Sequence, residues 1–149
     1  MAQTTTGITA CDIGVWGDLA NGTLTDISGS SNKVSMNFDR EIGMFRTFQS
    51  QWPRRLECGK DAKFTLVVVY SEAADEGSDL IKDWYHAAAP GDRTFKFYVP
   101  DKNVGSDVYS GEFKLLSYSF ELVAGSAEAV MVTAELVPNG AITVVTNAT

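Results

Sequence analysis

The chain is poor in the residues that surface chemistry usually needs. Among 149 residues there is one histidine, His86, and there are two cysteines, Cys11 and Cys58. A Ser-His-Asp or Cys-His arrangement would have to use His86. That residue falls beside Tyr85 in a stretch expected to be helical, where a capping or surface role outweighs catalysis. No nucleophile turn of the Gly-x-Ser-x-Gly kind occurs, and there is no glycine-rich phosphate loop. Cys11, Cys58 and His86 lack zinc-ligand spacing. Acidic pairs such as Asp39/Glu41 and Asp75/Glu76 could serve acid–base chemistry on a sugar, but carboxylate pairs on a solvated face are common. The expectation is no enzymatic activity, no metal and no cofactor.

Two cysteines are not a disulfide framework. Cys11 and Cys58 could pair, though reduced thiols are the favoured reading. Residues 1–10 lack the basic region and apolar run of a signal peptide, so a protein made in the cytoplasm is expected. No apolar stretch approaches the roughly 18 residues of a transmembrane helix. Basic residues are also scarce: 12 against 19 acidic, a net charge of −7. That balance argues against a surface built to grip nucleic acid.

What is present is hydrophobic patterning, in 44% of residues, enough for one domain spanning 1–149. The most legible stretch is Glu112 to Val137, where Phe113–Val123 and Ala127–Val137 are predicted as two strands joined by the turn Ala124-Gly125-Ser126. Leu116, Tyr118, Phe120 and Leu122 fall on one face, with Ser117, Ser119 and Glu121 on the other. Val130, Val132, Ala134 and Leu136 oppose Met131, Thr133 and Glu135 in the same way. Such a hairpin needs further strands or a helix over its apolar face.

Taken in order, Asp12–Leu19 is a candidate short strand. Asn21-Gly22 is a turn, Leu24–Ile27 a brief extended piece, and Ser28–Asn32 a second turn. Lys33–Met44 alternates, with Val34, Met36, Phe38, Ile42 and Met44 against Lys33, Ser35, Asn37, Asp39 and Glu41, and Arg40 intruding on the apolar side. Phe45–Asp61 reads as a loop rich in aromatic residues and arginine: Phe45, Arg46, Phe48, Trp52, Arg54 and Arg55. Either Phe48 and Trp52 fold back onto the core, or the loop binds a partner, since Trp and Arg dominate interface energetics.

Lys63–Tyr70 is almost continuously apolar, as a strand covered on both faces would be. Ser78–Ala89 carries the helical stripe Leu80, Ile81, Trp84, Tyr85 and Ala88, with Ser78 as cap and Pro90-Gly91 as the stop. Thr94–Val99 is a strand. Pro100–Asp107 is a polar turn region, Pro138-Asn139-Gly140 turns the chain, and Ile142–Val145 closes it. Six or seven strands and one helix predict an α+β fold, mainly antiparallel β: a β-sandwich or barrel with one flanking α-helix. The small, polar ends, residues 1–10 and 146–149, are expected to stay mobile until assembled.

The order of these stretches resembles the major tail tube protein of long-tailed bacteriophages with non-contractile tails. The likeness is carried by Thr25–Ser35 running into a long strand, a long loop before Lys63–Tyr70, the helix Ser78–Ala89, and the closing series Gly111–Glu121, Gly125, Val130–Val137 and Asn139-Gly140. It spans roughly residues 10 to 145. The resemblance implies a structural virion protein, made and assembled in the host cytoplasm. It implies hexameric rings stacked into a tube whose inner barrel passes the phage genome, with a long loop and mobile termini joining the rings. A tape measure protein and tail terminator and distal tail proteins are the implied partners, DNA transits without specific binding, and no membrane is involved. Six copies of −7 would give about −42 per ring, a field that keeps DNA off the wall. The lumen-facing candidates are Asn37, Asp39, Glu41, Ser117, Ser119, Glu121, Thr133 and Glu135. The ring-stacking candidates are Arg46, Phe48, Trp52, Arg54 and Arg55.

Other readings stay open at this level: a capsid decoration or tail-terminator-like ring protein, a secretion-system tube protein, or a carbohydrate-binding β-sandwich module stacking Trp16 or Trp52 on sugar.

Overall fold

The computed structural model describes residues 13–18, 22–74, 76–99, 101–125 and 127–148. Eight strands and one α-helix occur among them: β1 Gly14–Asp18, β2 Leu24–Asp26, β3 Ser31–Phe45, β4 Arg54–Val69, α1 Gly77–His86, β5 Arg93–Val99, β6 Asp107–Phe120, β7 Met131–Pro138 and β8 Thr143–Thr146. All described pairings are antiparallel, in the order β2-β1-β5-β6-β7-β4-β3. β8 follows β7 along the same edge of β6, pairing Asp107–Ser110 while β7 pairs Phe113–Phe120. The predicted α+β, mainly antiparallel architecture is what the chain adopts.

The sheet curls. Phe64 on β4 and Phe97 on β5 have ring centroids 5.2 Å apart, although β6 and β7 lie between those strands in the ladder. With strands about 4.8 Å apart, a flat sheet would hold them roughly 14 Å apart. The curled interior holds Phe64, Leu66, Val68, Phe95, Phe97, Phe113, Ala134 and Leu136, all fully buried. The β1–β2 ladder continues into the turn before β3, where the Val15 amide donates to Ser28 Oγ at 2.8 Å and the Ile27 amide to the Val15 carbonyl at 2.9 Å.

Helix α1 covers the interior with Leu80, Ile81 and Trp84, each buried. Trp84 stacks on Phe95 at 5.7 Å, and its indole N–H donates to the Gly91 carbonyl at 3.1 Å. Gly77 starts the helix against β4, where a Cβ would meet Val68 Cγ1 at 2.8 Å. Its amide donates to Ser30 Oγ at 3.0 Å, which ties the helix to the turn before β3. Arg93 is buried on β5, with its guanidinium 5.5 Å over the Trp84 ring. Burial lowers its pKa, and Asp18 and Asp83 work in the opposite direction.

Several sequence expectations are corrected. Ser78 does not cap α1: the N-cap residue is Glu76, and Ser78 Oγ instead bridges the Ser71 amide and carbonyl at 3.1 and 3.0 Å. The helix ends at His86, short of Ala89. β4 is not fully covered on both faces, because Phe64, Leu66 and Val68 are buried while Thr65, Val67 and Val69 are half-buried. β6 stops at Phe120 and β7 starts at Met131, short of the predicted bounds Val123 and Ala127; Ala124-Gly125 is a turn, and Ser126 lies outside the described residues. A register shift between Leu115 and Ser117 ejects Leu116, and it is Leu115 and Tyr118 that pack on the core. At the end of the chain, Thr146 pairs with Asp107, and Asn147 Nδ2 donates to the Lys102 and Asn103 carbonyls, at 3.1 Å each. Residues 1–10 and Cys11 lie outside the described residues.

Candidate assembly surfaces

The face of the sheet turned away from the core is polar across four strands. Residues opposed in a ladder share a face, so the register builds continuous rows. Ser35, Thr65, Glu135 and Ser117 form one row across β3, β4, β7 and β6. Lys33, Val67, Thr133 and Ser119 form the next. Asn37 opposes Lys63, and Asp39 opposes Asp61. Glu135 Oε2 accepts from Ser117 Oγ and from Lys63 Nζ, both at 3.2 Å. The structure thus brings Asn37, Asp39, Ser117, Ser119, Thr133 and Glu135 onto one surface. Its charge is mixed, since Lys33 and Lys63 stand among Asp39, Asp61 and Glu135. Glu41 falls in the irregularity between Arg40 and Ile42, and Glu121 lies beyond the end of β6. Neither belongs to the rows.

This four-stranded segment has two free edges among the described residues. One is β3, which pairs only with β4 over 15 residues. The other is Lys114–Phe120 of β6, on the side where β5 has already ended at the Arg93–Phe113 pair. A free edge presents unpaired backbone donors and acceptors to any neighbour that can continue the ladder.

The Phe45–Asp61 stretch is not a loop. Its second half is the start of β4, and Phe45 pairs with Arg54, Met44 with Arg55 and Gly43 with Leu56. The hairpin therefore runs past the rest of the sheet as a two-stranded arm, with residues 46–53 at its tip. The arm is exposed on both sides: Ile42, Met44, Phe45 and Leu56 contribute apolar surface, Trp52 is 80% exposed and Phe48 fully exposed. Phe48 and Trp52 do not fold back onto the core. Arg46, Arg54 and Arg55 are exposed with them, and Arg40 and Glu57 pair at 2.8 Å near the arm's base. Sequence reasoning missed the pairing because Glu57-Cys58-Gly59-Lys60-Asp61 has little strand propensity; the opposing β3 supplies the ladder.

Other sequence candidates take modest roles. His86 Nε2 and the Tyr118 hydroxyl are hydrogen-bonded at 2.7 Å at the surface. Trp16 is half-buried, edge-on to Tyr98 at 6.5 Å. Cys58 is an exposed free thiol on the arm. Among the described residues no group of three His, Cys, Asp or Glu is placed to hold a metal ion.

Solved tube structures superpose on the chain over nearly its whole length. The tail tube of SPP1 superposes with a TM-score of 0.70 over 96% of this chain and 80% of that one, at 15% identity. The chain has the tail tube fold. The tail of an empty gene transfer agent particle, refined with sixfold symmetry, gives a TM-score of 0.68 over 97% and 99% of the two chains at 16% identity. A chain of the sheath–tube complex of an extracellular contractile injection system gives 0.69 over 97% and 94% at 12% identity. No protein-family model and no curated protein sequence matches the chain.

Proposed function

We propose that the chain is the repeating subunit of a tail-type tube: the major tail tube protein of a virion, forming hexameric rings that stack around a lumen for the genome. The observation that carries this reading is the β6–β7–β4–β3 segment, polar on one face, packed on the core by the other, and open at both edges among the described residues. An edge-to-edge contact between β3 of one subunit and Lys114–Phe120 of the next would extend the ladder from subunit to subunit and satisfy both edges. Six subunits would then close a barrel of about 24 strands, wider than the 16–18-stranded barrels that already leave an aqueous channel. The tube structures that share this fold support the same role.

In this arrangement Asn37, Asp39, Ser117, Ser119, Thr133 and Glu135 line the lumen. Hydroxyls and the Lys63–Glu135 ion pair offer DNA little to hold, and the net −7 of each subunit keeps the ring repulsive to phosphate. The arm, with Arg46, Phe48, Trp52, Arg54 and Arg55, joins one ring to the next. A tape measure protein in the lumen and terminator and distal tail proteins at the two ends are the partners this role requires. Electron microscopy of the concentrated, purified chain tests the reading. Hollow tubes of constant width with sixfold rings are expected, and a protein that stays monomeric at every concentration would overturn it.

A further inference from the structure

Strand β3 runs from the Ser31–Val68 pair to the Asp39–Asp61 pair and then into the arm. Met131 of β7 and Phe120 of β6 lie at the end where β3 begins. The β3–β4 arm and the β6–β7 connection therefore project from opposite ends of one sheet. At the connection's end there is an open cup of about 890 Å³ lined by Phe120, Leu122, Val123 and Met131 among others, which reaches Ser119 and Thr133 at the end of the polar face. Leu122 and Val123 are more than half exposed. Glu121 and Glu128 also line it, and residues 121–130 contain no Lys or Arg. The arm is the complement: residues 44–56 carry Arg46, Arg54 and Arg55 and no acidic residue.

We propose that this cup is the receiving site for the arm tip of a second copy of the chain, with Phe48 and Trp52 seated on its apolar wall and the arginines facing Glu121 and Glu128. The proposal rests on the tube reading and deepens it by naming what the arm meets in the next ring. Two arguments favour a second copy as the occupant. The charges of arm and cup are opposite, which fixes register and disfavours arm-to-arm or cup-to-cup contacts. The two surfaces lie at opposite ends of one subunit, so their contact is heterologous and repeats without closing, as an axial stack must. Two aromatic side chains bury about 150–250 Å² each. Six such contacts form together between two rings, so modest individual affinity suffices.

Charge exchange tests the docking. Glu121→Lys with Glu128→Lys reverses the cup, and Arg54→Glu with Arg55→Glu reverses the arm. Each double variant alone is expected to raise the concentration needed for tube growth about tenfold or more, because like charges then meet at every contact. Mixing the two at equal amounts is expected to restore tubes, since each arm again finds an opposite cup. Unchanged tube growth by the cup-reversed chain, while the unsubstituted chain forms tubes, would overturn the docking and leave the tube reading standing. Absence of tubes from the unsubstituted chain would overturn the tube reading and the docking together. Should a reversed chain fail to fold, Trp52→Cys with Leu122→Cys in a Cys11→Ser, Cys58→Ser background provides the second measurement. Mild oxidation of its tubes is expected to give a ladder of covalent oligomers, and tubes that yield only monomers would overturn the proposal.

Discussion

The two halves of the β3–β4 hairpin are one continuous ladder with opposite fates. In the proximal half, Phe64, Leu66 and Val68 are buried under α1 and against β5 and β6, while Ser35, Asn37, Lys63 and Thr65 face outward. In the distal half no third strand and no helix occurs among the described residues, and Ile42, Met44, Phe45 and Leu56 remain exposed. Both halves carry apolar residues at strand spacing, yet only one has a surface to put them on. A two-stranded ribbon is marginal in water, and contiguous exposed apolar surface marks an interaction site. In the tube reading, the distal half meets a surface that another subunit supplies.

Substitutions can break that comparison, beginning with the largest expected effect. Phe64→Ala removes a ring that touches Phe97 and Phe113, with centroids at 5.2 and 4.9 Å; urea denaturation is expected to show a loss of about 3–5 kcal/mol. Gly77→Ala forces a methyl group to within 2.8 Å of Val68 Cγ1 and 3.0 Å of Ser30 Oγ, for an expected cost of about 1–3 kcal/mol by the same assay. Trp52→Ala in the distal half is expected to change monomer stability by no more than about 0.5 kcal/mol while slowing tube growth seen by light scattering. A loss as large as that of Phe64→Ala would mean that the arm packs on its own subunit and the contrast is false.

The smallest effect concerns pH. Asp92 is held below its ordinary pKa by a hydrogen bond from Lys114 and then by one from Asn139. Its folded-state pKa being depressed, its contribution is present above the unfolded carboxylate value near 3.9 and is lost as pH falls through the lower folded value. Asp92→Asn should therefore flatten only the acid limb of the stability profile, measured by thermal melts below about pH 5, and leave assembly at neutral pH unchanged.

The proximal half was legible in the sequence and the distal half was not, for a physical reason. Val34, Met36 and Phe38 announce β3, and Leu80, Ile81 and Trp84 announce α1, because burial imposes a period that the residues must follow. From Arg54 to Asp61 no core imposes one, so charged residues, Cys58 and Gly59 form a strand only because β3 lies opposite. Leu116 was misplaced for a related reason: a one-residue bulge reverses which side chains face in, and β6 alternates plausibly in either register. The predicted strand Thr94–Val99 leaves Arg93 out, and the Trp84 ring beneath its guanidinium accounts for its burial. Of the lumen candidates, those on regular rungs share one face, whereas Glu41 and Glu121 sit where the ladder is interrupted or has ended. The arm candidates were found by composition, but their strand pairing was not.

The most direct measurement compares the intact chain with one in which residues 46–53 are replaced by an Asn-Gly turn, viewed side by side by electron microscopy at equal concentration. Hollow tubes are expected from the intact chain and only folded subunits or single rings from the trimmed one. Tubes of normal length and width from the trimmed chain would contradict the arm's role in stacking.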